Sequence, residues 1–259
     1  MNRFKNKVAF VTGGGDGMGA ASVKRLAEEG ATVYAFDIDG DKAKTIAERL
    51  QSEGKTVVGI QGSVTEYEQL EKAFYQVDAE QDRLDILINV AGGSMAGYVT
   101  DLEISDWERL YRLNVLGTIS ACQLSVERMR KNSGGSIVVM SSISGVRGDP
   151  GWAAYNTCKA ALINFTECLA WEVGKDNIRV NAICPGPIAS ERMIDSLPDP
   201  KFTQAYNESI ALGRMGHPEE VASAIAFLAS EDASFITGAH LLADGGLTAR
   251  TGQPIVPPD

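Results

Sequence analysis

Seven short runs of apolar and β-branched residues alternate with segments of helical periodicity along this 259-residue chain. Short runs that are apolar on both faces are typical of strands buried in a parallel sheet, whose neighbouring strands are joined by helical crossovers. The predicted strands are residues 8–11, 32–36, 56–60, 84–88, 136–140, 179–183 and 240–243, and the clearest predicted helices are residues 20–29, 42–53, 65–81 and 105–131. The pattern therefore predicts an α/β fold, a doubly wound seven-stranded parallel sheet flanked by helices.

The segment at residues 187–213 interrupts this alternation after the sixth predicted strand, and the tail from Gly245 interrupts it again. Loops beyond the carboxyl ends of parallel strands line the ligand crevice, so we expect a substrate cap or lid there. The segment does not have the composition of a linker, and composition is even along the chain. Residues 1–259 are therefore predicted to form one domain.

Net charge and cysteine usage narrow the classes of function. A formal charge of −10 repels phosphate backbones and anionic lipid, so neither nucleic acid nor a membrane is expected as a partner. The apolar stretch at residues 8–11 is too short for a signal-peptide core or a membrane span, so we expect a cytoplasmic location. The four cysteines lack metal-ligand spacing, which argues against a metal site and favours reduced thiols.

A glycine-rich turn connects the first predicted strand to the first predicted helix. Residues 12–19 read TGGGDGMG, and the missing side chains let backbone N–H groups approach phosphate oxygens at a helix N-terminus. The turn, with Gly13, Asp16, Gly17, Met18 and Gly19, is a candidate site for the pyrophosphate of a dinucleotide. A bare flexible turn would show similar glycines, but the strand–turn–helix context favours the phosphate site.

Asp37 ends the second predicted strand, about 20 residues beyond the turn, where a carboxylate can accept hydrogen bonds from the adenosine ribose. The same carboxylate would repel the 2′-phosphate of NADP, and the turn offers Asp16 in place of a Lys or Arg. The sequence therefore favours NAD. Alternatively, Asp37 or Asp39 caps the helix that begins near Lys42, and Asp39 is better placed for that role.

Tyr155 and Lys159 lie four residues apart in a helical pattern and so share one helix face. Lowering a phenol pKa from about 10 to about 7 takes roughly 4 kcal/mol of preferential phenolate stabilisation. The lysine ammonium and the positive nicotinamide of NAD⁺ are charges of the sign that stabilises a phenolate.

Ser142 follows the fifth predicted strand and can hydrogen-bond a substrate oxygen. Asn114 either holds a water that passes protons to Lys159 or marks a capped helix kink.

Together these motifs resemble the classical branch of the short-chain dehydrogenase/reductase family along almost the whole chain. The similarity extends over the TGxxxGxG turn from Thr12, the sequence NVAG at residues 89–92, and the tetrad Asn114, Ser142, Tyr155 and Lys159. It continues through PGPI at residues 185–188, GRMGHPEE at residues 213–220, ITG at residues 236–238 and DGG at residues 244–246. The resemblance implies a Rossmann-type fold and a dinucleotide-dependent oxidoreductase.

The resemblance also implies roles for individual residues. Tyr155 would be the general acid or base at the carbinol, Ser142 would position the oxygen, and Asn114 would complete a proton relay. Lys159 would bind the nicotinamide ribose and lower the pKa of the phenol. Further cofactor contacts are implied for Gly13, Asp16, Gly17, Met18, Gly19, Asp37, Ser63, Val64, Asn89, Ala91, Gly92, Pro185, Gly186, Ile188 and Ser190.

Two positions depart from the family pattern. Ser63 and Val64 stand where the family usually has an aspartate for the adenine amine. A serine hydroxyl can accept the same hydrogen bond, so we expect weaker adenine selectivity without loss of binding. Val90 replaces the second asparagine of the usual NNAG motif, at the cost of one polar contact at most. Neither departure touches the tetrad.

The residues expected to face the substrate are mainly apolar, which suits a secondary alcohol or ketone on a ring or a short aliphatic chain. They are Gly93, Ser94, Met95, Ile143, Val146, Arg147, Trp152, Ile188, Met193, Phe202 and Tyr206, and Ser144 is a further candidate contact. Arg147 is the one candidate for reading a substrate carboxylate, but Asp149 is two residues away and is expected to neutralise it.

The sequence thus favours an NAD-dependent oxidoreductase that interconverts a secondary alcohol and a ketone. The alternative is a catalytically silent dinucleotide-binding protein, against which the intact tetrad argues. An enoyl reductase would have six residues between the tyrosine and the lysine instead of three.

Family members commonly pair the helices at residues 105–131 and 152–174 across a dimer contact, so we expect a homotetramer. The tail at Pro254, Pro257 and Pro258 is a candidate subunit contact.

Overall fold

The computed structural model describes residues 2–197 and 199–253, and the proline-containing tail lies outside these residues. Seven parallel strands form one sheet in the order β3-β2-β1-β4-β5-β6-β7. The strands are β1 (Val8–Thr12), β2 (Thr32–Asp37), β3 (Val57–Gln61), β4 (Ile86–Asn89), β5 (Gly135–Met140), β6 (Ile178–Pro185) and β7 (His240–Ala243). The strand order reverses between β1 and β4, which confirms the predicted doubly wound sheet and places a ligand crevice at that reversal.

Helices cover both faces of the sheet. They are α1 (Gly17–Glu28), α2 (Gly40–Ser52), α3 (Tyr67–Glu80), α4 (Ile104–Tyr111), α5 (Gly117–Lys131), α6 (Ala153–Val173), α7 (Glu191–Ser196), α8 (Pro200–Ser209) and α9 (Pro218–Ala229). Side chains alternate along each strand, so Ala9 and Val11 of β1 pack against α1, α2 and α9. Phe10 points the other way and stacks on Phe74 of α3, with ring centroids 4.3 Å apart.

The helix predicted at residues 105–131 is not continuous. A π-helical turn at Arg112–Leu116 separates α4 from α5, and the Gly117 N–H reaches back five residues to the Arg112 carbonyl. The amide of Asn114 donates to the Leu110 carbonyl at 3.0 Å, and the Thr118 hydroxyl donates to the Asn114 carbonyl at 2.8 Å. Side-chain bonds of this kind satisfy backbone groups that an ordinary helix would pair, and π-helical turns are frequent at functional sites.

Residues 187–213, the predicted cap, contain α7 and α8 beyond the carboxyl end of β6. Asp199 caps α8 by accepting a hydrogen bond from the Lys201 N–H at 2.8 Å, and Pro200 occupies the first turn, where its missing N–H costs nothing. No side chain of α8 is fully buried. α8 therefore lies at the surface, while Ile188 and Ile210 of the same segment are buried.

Candidate active site

The glycine turn between β1 and α1 is built so that only glycine fits at its key positions. Gly13 and Gly17 have φ angles of +66° and +50°. A Cβ on Gly19 would lie 1.8 Å from the Gly13 oxygen, and a Cβ on Gly13 would lie 2.9 Å from the Ala91 nitrogen. Asp16 caps α1 by accepting from the Gly17 N–H at 2.7 Å. The turn is a backbone cradle at a helix N-terminus and fits a pyrophosphate.

A cavity of about 470 Å³ begins at this turn and runs along the sheet reversal. Ten of the predicted cofactor residues line it: Gly13, Asp16, Gly17, Met18, Asp37, Ser63, Val64, Ala91, Gly92 and Ser190. The cavity is also lined by residues outside the predicted cofactor contacts, namely Phe36, Ile38, Asp39, Lys42, Gly62, Val90, Leu113 and Arg192. No local motif marks Lys42 and Arg192, because α2 and α7 reach the cavity only through the tertiary fold.

Asp39 takes the helix-capping role that the sequence left open between Asp37 and Asp39. Asp39 caps α2 by accepting from the Lys42 N–H at 3.1 Å. Asp37 accepts from the Gly15 and Asp39 N–H groups, each at 2.9 Å, and lines the cavity. These backbone donors hold the Asp37 carboxylate in a fixed orientation beside the glycine turn, where a ribose would meet it.

Asn89 does not lie where the family motif suggests. It is 3% exposed, its amide donates to the Cys122 sulfur at 3.3 Å, and its oxygen accepts from the Thr12 hydroxyl at 3.4 Å. The next residues along the chain, Val90 to Gly92, line the cavity instead. Because the strand alternation turns the Asn89 side chain into the core, it supports the cavity floor from behind.

Other predicted cofactor residues lie around the cavity without lining it. Gly19 is packed beneath the turn, and Pro185 ends β6 as a buried residue. A Cβ on Gly186 would lie 2.9 Å from Asp244, so the chain passes close to the turn after β7. Ile188 is 8% exposed, and Ser190, which does line the cavity, caps α7 by accepting from the Met193 N–H at 3.3 Å.

The structure brings Tyr155, Lys159 and Ser142 together at the start of α6 and the end of β5. The Lys159 ammonium lies 5.6 Å from the centre of the Tyr155 ring and donates to the Met140 carbonyl at 2.9 Å. Lys159 is 4% exposed, and this burial lowers its pKa to about 8. The Ser142 oxygen accepts from the Ser144 N–H at 3.1 Å, and the Ser142 hydroxyl also hydrogen-bonds the Tyr155 phenol.

The pKa of Tyr155 is raised in this environment, whereas the family resemblance implies that the tetrad lowers it. Burial is the main cause, since an apolar setting disfavours the phenolate, and the Asp149 charge acts in the same direction. A hydrogen bond from Ser142 opposes both by favouring the phenolate. The chain alone therefore holds the phenol protonated.

Asn114 completes the cluster through its side chain. Its amide donates to the Gly93 carbonyl at 2.9 Å, and its oxygen accepts from the Gly93 N–H at 3.3 Å. A Cβ on Gly92 would lie 2.6 Å from the Asn114 oxygen and 3.5 Å from the Lys159 ammonium. Gly92 also lines the cavity, so Asn114 and Lys159 adjoin it.

Arg147 and Asp149 do not form the expected pair, so the prediction that Asp149 neutralises Arg147 was wrong. The Asp149 carboxylate accepts instead from the Ser144 hydroxyl at 2.5 Å and from the Asn156 amide at 3.4 Å. The exposed Arg147 side chain donates to the Val146 carbonyl at 3.1 Å. Arg147 and Asp149 are close in sequence, but the turn after Ser142 points their side chains in different directions.

The remaining predicted substrate residues surround Tyr155 at different depths. The Trp152 ring meets the Tyr155 ring edge-on with centroids 6.4 Å apart, and Trp152 remains 38% exposed. Ser94 is exposed, while Met193 on α7 and Tyr206 on α8 are half-buried. Neither a helix able to cross a membrane nor a metal-binding group of three or more His, Cys, Asp or Glu side chains occurs within residues 2–197 and 199–253.

Comparison with known proteins gives matches along nearly the whole chain. A family model described as "Enoyl-(Acyl carrier protein) reductase" matches residues 13–248. The chain is 38% identical to the meso-2,3-butanediol dehydrogenase of Serratia marcescens over 252 residues, covering 97% of this chain and 98% of that protein. It is 38% identical to the cyclopentanol dehydrogenase of Comamonas testosteroni, covering 96% of this chain and all of that protein.

Two solved structures also match nearly the whole chain. A 7α-hydroxysteroid dehydrogenase, solved in complex with NADH and 7-oxo glycochenodeoxycholic acid, is 30% identical and superposes with a TM-score of 0.91 over 95% of this chain and 96% of that one. The structure titled gox2181 is 34% identical with a TM-score of 0.92, covering 96% and 99%. Full-length matches at this identity, together with the turn and the tetrad, show that the chain is a classical short-chain dehydrogenase/reductase, an oxidoreductase with a Rossmann-type fold.

Proposed function

We propose that the protein is an NAD-dependent oxidoreductase that interconverts a secondary alcohol and a ketone by hydride transfer, with Tyr155 as general acid or base. The observation that carries the proposal is the meeting of Ser142, Tyr155, Lys159 and Asn114 beside a cavity that begins at the glycine turn. The relatives named as butanediol and cyclopentanol dehydrogenases support a small alcohol as the substrate class.

The side chains divide the work of alcohol oxidation. When bound, NAD⁺ supplies the hydride acceptor. Ser142, whose hydroxyl hydrogen-bonds the Tyr155 phenol in the free protein, would turn its hydrogen to the substrate oxygen and so place the alcohol next to that phenol. Tyr155 takes the hydroxyl proton as phenolate and returns it in the reduction of a ketone. The Lys159 ammonium, 5.6 Å from the centre of the phenol ring, would favour the phenolate by its charge, and Asn114 holds Gly93 and the adjoining loop in place.

The same chain residues would hold the cofactor along the cavity. The turn from Gly13 to Gly19 would bind the pyrophosphate, and the Asp37 carboxylate would accept hydrogen bonds from the adenosine ribose. Ser63 and Val64 line the adenine end, and the chain from Pro185 to Ser190 would meet the nicotinamide. A carboxylate at Asp37 repels a 2′-phosphate, which is why we propose NAD and not NADP.

The substrate is expected to enter beneath the cap at residues 187–213. Ser94, Ser144, Trp152, Met193 and Tyr206 would contact it, with Arg147 at the mouth of the substrate site.

We further propose that residues 1–259 act as one domain, in a cytoplasmic homotetramer. Light scattering at micromolar concentration should give four times the chain mass, and a monomer there would contradict the assembly.

The family model's description names an enoyl reductase, yet the spacing in this chain favours carbonyl chemistry. Three residues separate Tyr155 from Lys159, which places both on one turn of α6 with the ammonium beside the phenol ring. An enoyl reductase would have six. A crotonyl thioester assayed with NADH beside the ketones should therefore show no turnover, and reduction of its double bond would overturn the proposed reaction.

The central experiment is a panel of cyclic and short-chain secondary alcohols assayed with NAD⁺ for the absorbance of NADH. Tyr155→Phe should lower kcat by at least about 10²-fold while the affinity for NADH is retained. Tyr67→Phe, on an exposed residue of α3, is the matched control and should leave kcat unchanged. Wild-type protein that binds NADH but oxidises none of the alcohols would support the silent dinucleotide-binding alternative.

A further inference from the structure

An ion pair crosses the adenosine end of the cofactor cavity. The Lys42 ammonium lies 2.5 Å from the Asp16 carboxylate, and both residues line the cavity together with Asp37. Asp16 belongs to the glycine turn, while Lys42 stands in the first turn of α2. Both side chains are about half exposed, so the pair contributes little to folding, but it determines where the ammonium points.

The Lys42 and Asp37 side chains lie next to each other beside the glycine turn. A Cβ on Gly15 would lie 2.9 Å from the Lys42 Cβ and 3.0 Å from an Asp37 carboxylate oxygen. The Lys42 side chain therefore leaves α2 next to the carboxylate that would hold the ribose, and its ammonium extends to Asp16. Lys42, Asp37 and Asp39 all line this part of the cavity.

We propose that the Asp16–Lys42 ion pair is a specificity device that keeps Lys42 away from the 2′ position of the adenosine ribose. The inference rests on the proposed use of NAD. A 2′-phosphate adds up to two negative charges and needs a cation to offset the repulsion from Asp37. Lys42 is a flexible cation of suitable length on the same wall of the cavity. The ion pair with Asp16 holds the Lys42 ammonium. A 2′-phosphate would therefore face the Asp37 carboxylate with no positive charge from Lys42 to offset the repulsion.

Asp16→Asn tests the pair with little disturbance of the turn. Asparagine caps helices about as well as aspartate, so the bond from the Gly17 N–H can persist. The probes are 5′-AMP and 2′,5′-ADP, which differ only by the 2′-phosphate, and affinity is measured by calorimetry. Wild-type protein should bind 5′-AMP more tightly. In the variant the affinity for 2′,5′-ADP relative to 5′-AMP should rise about three- to fivefold, the range that one exposed ion pair can contribute.

A double-mutant cycle separates release of Lys42 from the simple loss of a negative charge. In the Lys42→Met background, Asp16→Asn should no longer improve the relative affinity for 2′,5′-ADP. An equal improvement in that background would overturn the proposal. Arg192 also faces Asp16, so Asp16→Asn is repeated with Arg192→Met, where the improvement should remain. Loss of the improvement there would assign the effect to Arg192 and refute the role of Lys42.

The binding assay also distinguishes the failure of this inference from the failure of the proposed function. Wild-type protein that binds neither 5′-AMP nor NADH would refute the proposed dinucleotide site and the inference with it. Wild-type protein that binds 5′-AMP and NADH, but shows the same ratio to 2′,5′-ADP before and after Asp16→Asn, refutes the ion-pair device alone. A wild-type preference for 2′,5′-ADP refutes both the device and the use of NAD.

Discussion

Lys159→Met should stabilise the cofactor-free protein although it removes a tetrad residue. Burial lowers the pKa of Lys159 from its ordinary 10.5 to about 8. The folded state is therefore destabilised by about 3 kcal/mol at a pH below 8, where Lys159 is charged in both the folded and the unfolded state. Methionine fills a similar volume without charge, but the bond to the Met140 carbonyl is lost, at about 1 kcal/mol. The expected net gain in the free energy of unfolding at pH 7 is about 2 kcal/mol.

The pH dependence identifies the cause of this gain. Because the folded pKa lies below the unfolded one, the penalty from Lys159 is fully present below pH 8 and disappears as the pH rises from 8 to 10.5. The difference between Lys159→Met and wild type should thus shrink by about 1 kcal/mol between pH 7 and pH 9. Urea unfolding followed by circular dichroism measures it, with Lys72→Met on the exposed side of α3 as control. A difference that does not change with pH would refute the reasoning.

Two further predictions concern the groups around the phenol. The Asp149 charge helps to raise the pKa of Tyr155, so Asp149→Asn should move the acidic limb of the alcohol-oxidation profile to lower pH, as seen in kcat against pH; an upward shift would contradict the assigned direction. A Cβ at Gly92 would crowd the Asn114 oxygen at 2.6 Å, so Gly92→Ala should lower kcat by at least about tenfold with the fold intact by circular dichroism. The control is Gly148→Ala, where a Cβ would have no atom within 4 Å; an equal loss of kcat there would remove the steric explanation.

The elements that could be predicted from the sequence are those whose signal is local. Apolar runs, turn glycines and helical spacing lie within a few residues of one another, so the sequence predicts all seven strands to within two residues at each end. The spacing of Tyr155 and Lys159 in the sequence likewise predicts their side-by-side placement on α6. The glycine turn is marked in the sequence by its own residues, two of which, Gly13 and Gly17, have positive φ angles.

The tertiary structure decided which of these side chains reach the cavity and what they meet there. Asn89 turns into the core because its strand is covered on both faces, and Asp149 pairs with Ser144 because the turn after β5 directs it away from Arg147. The Asp16–Lys42 pair joins residues 26 positions apart, through the packing of α2 beside the glycine turn. Composition and periodicity determine strands, helices and motif spacing, whereas contacts between distant elements depend on packing that no local pattern encodes.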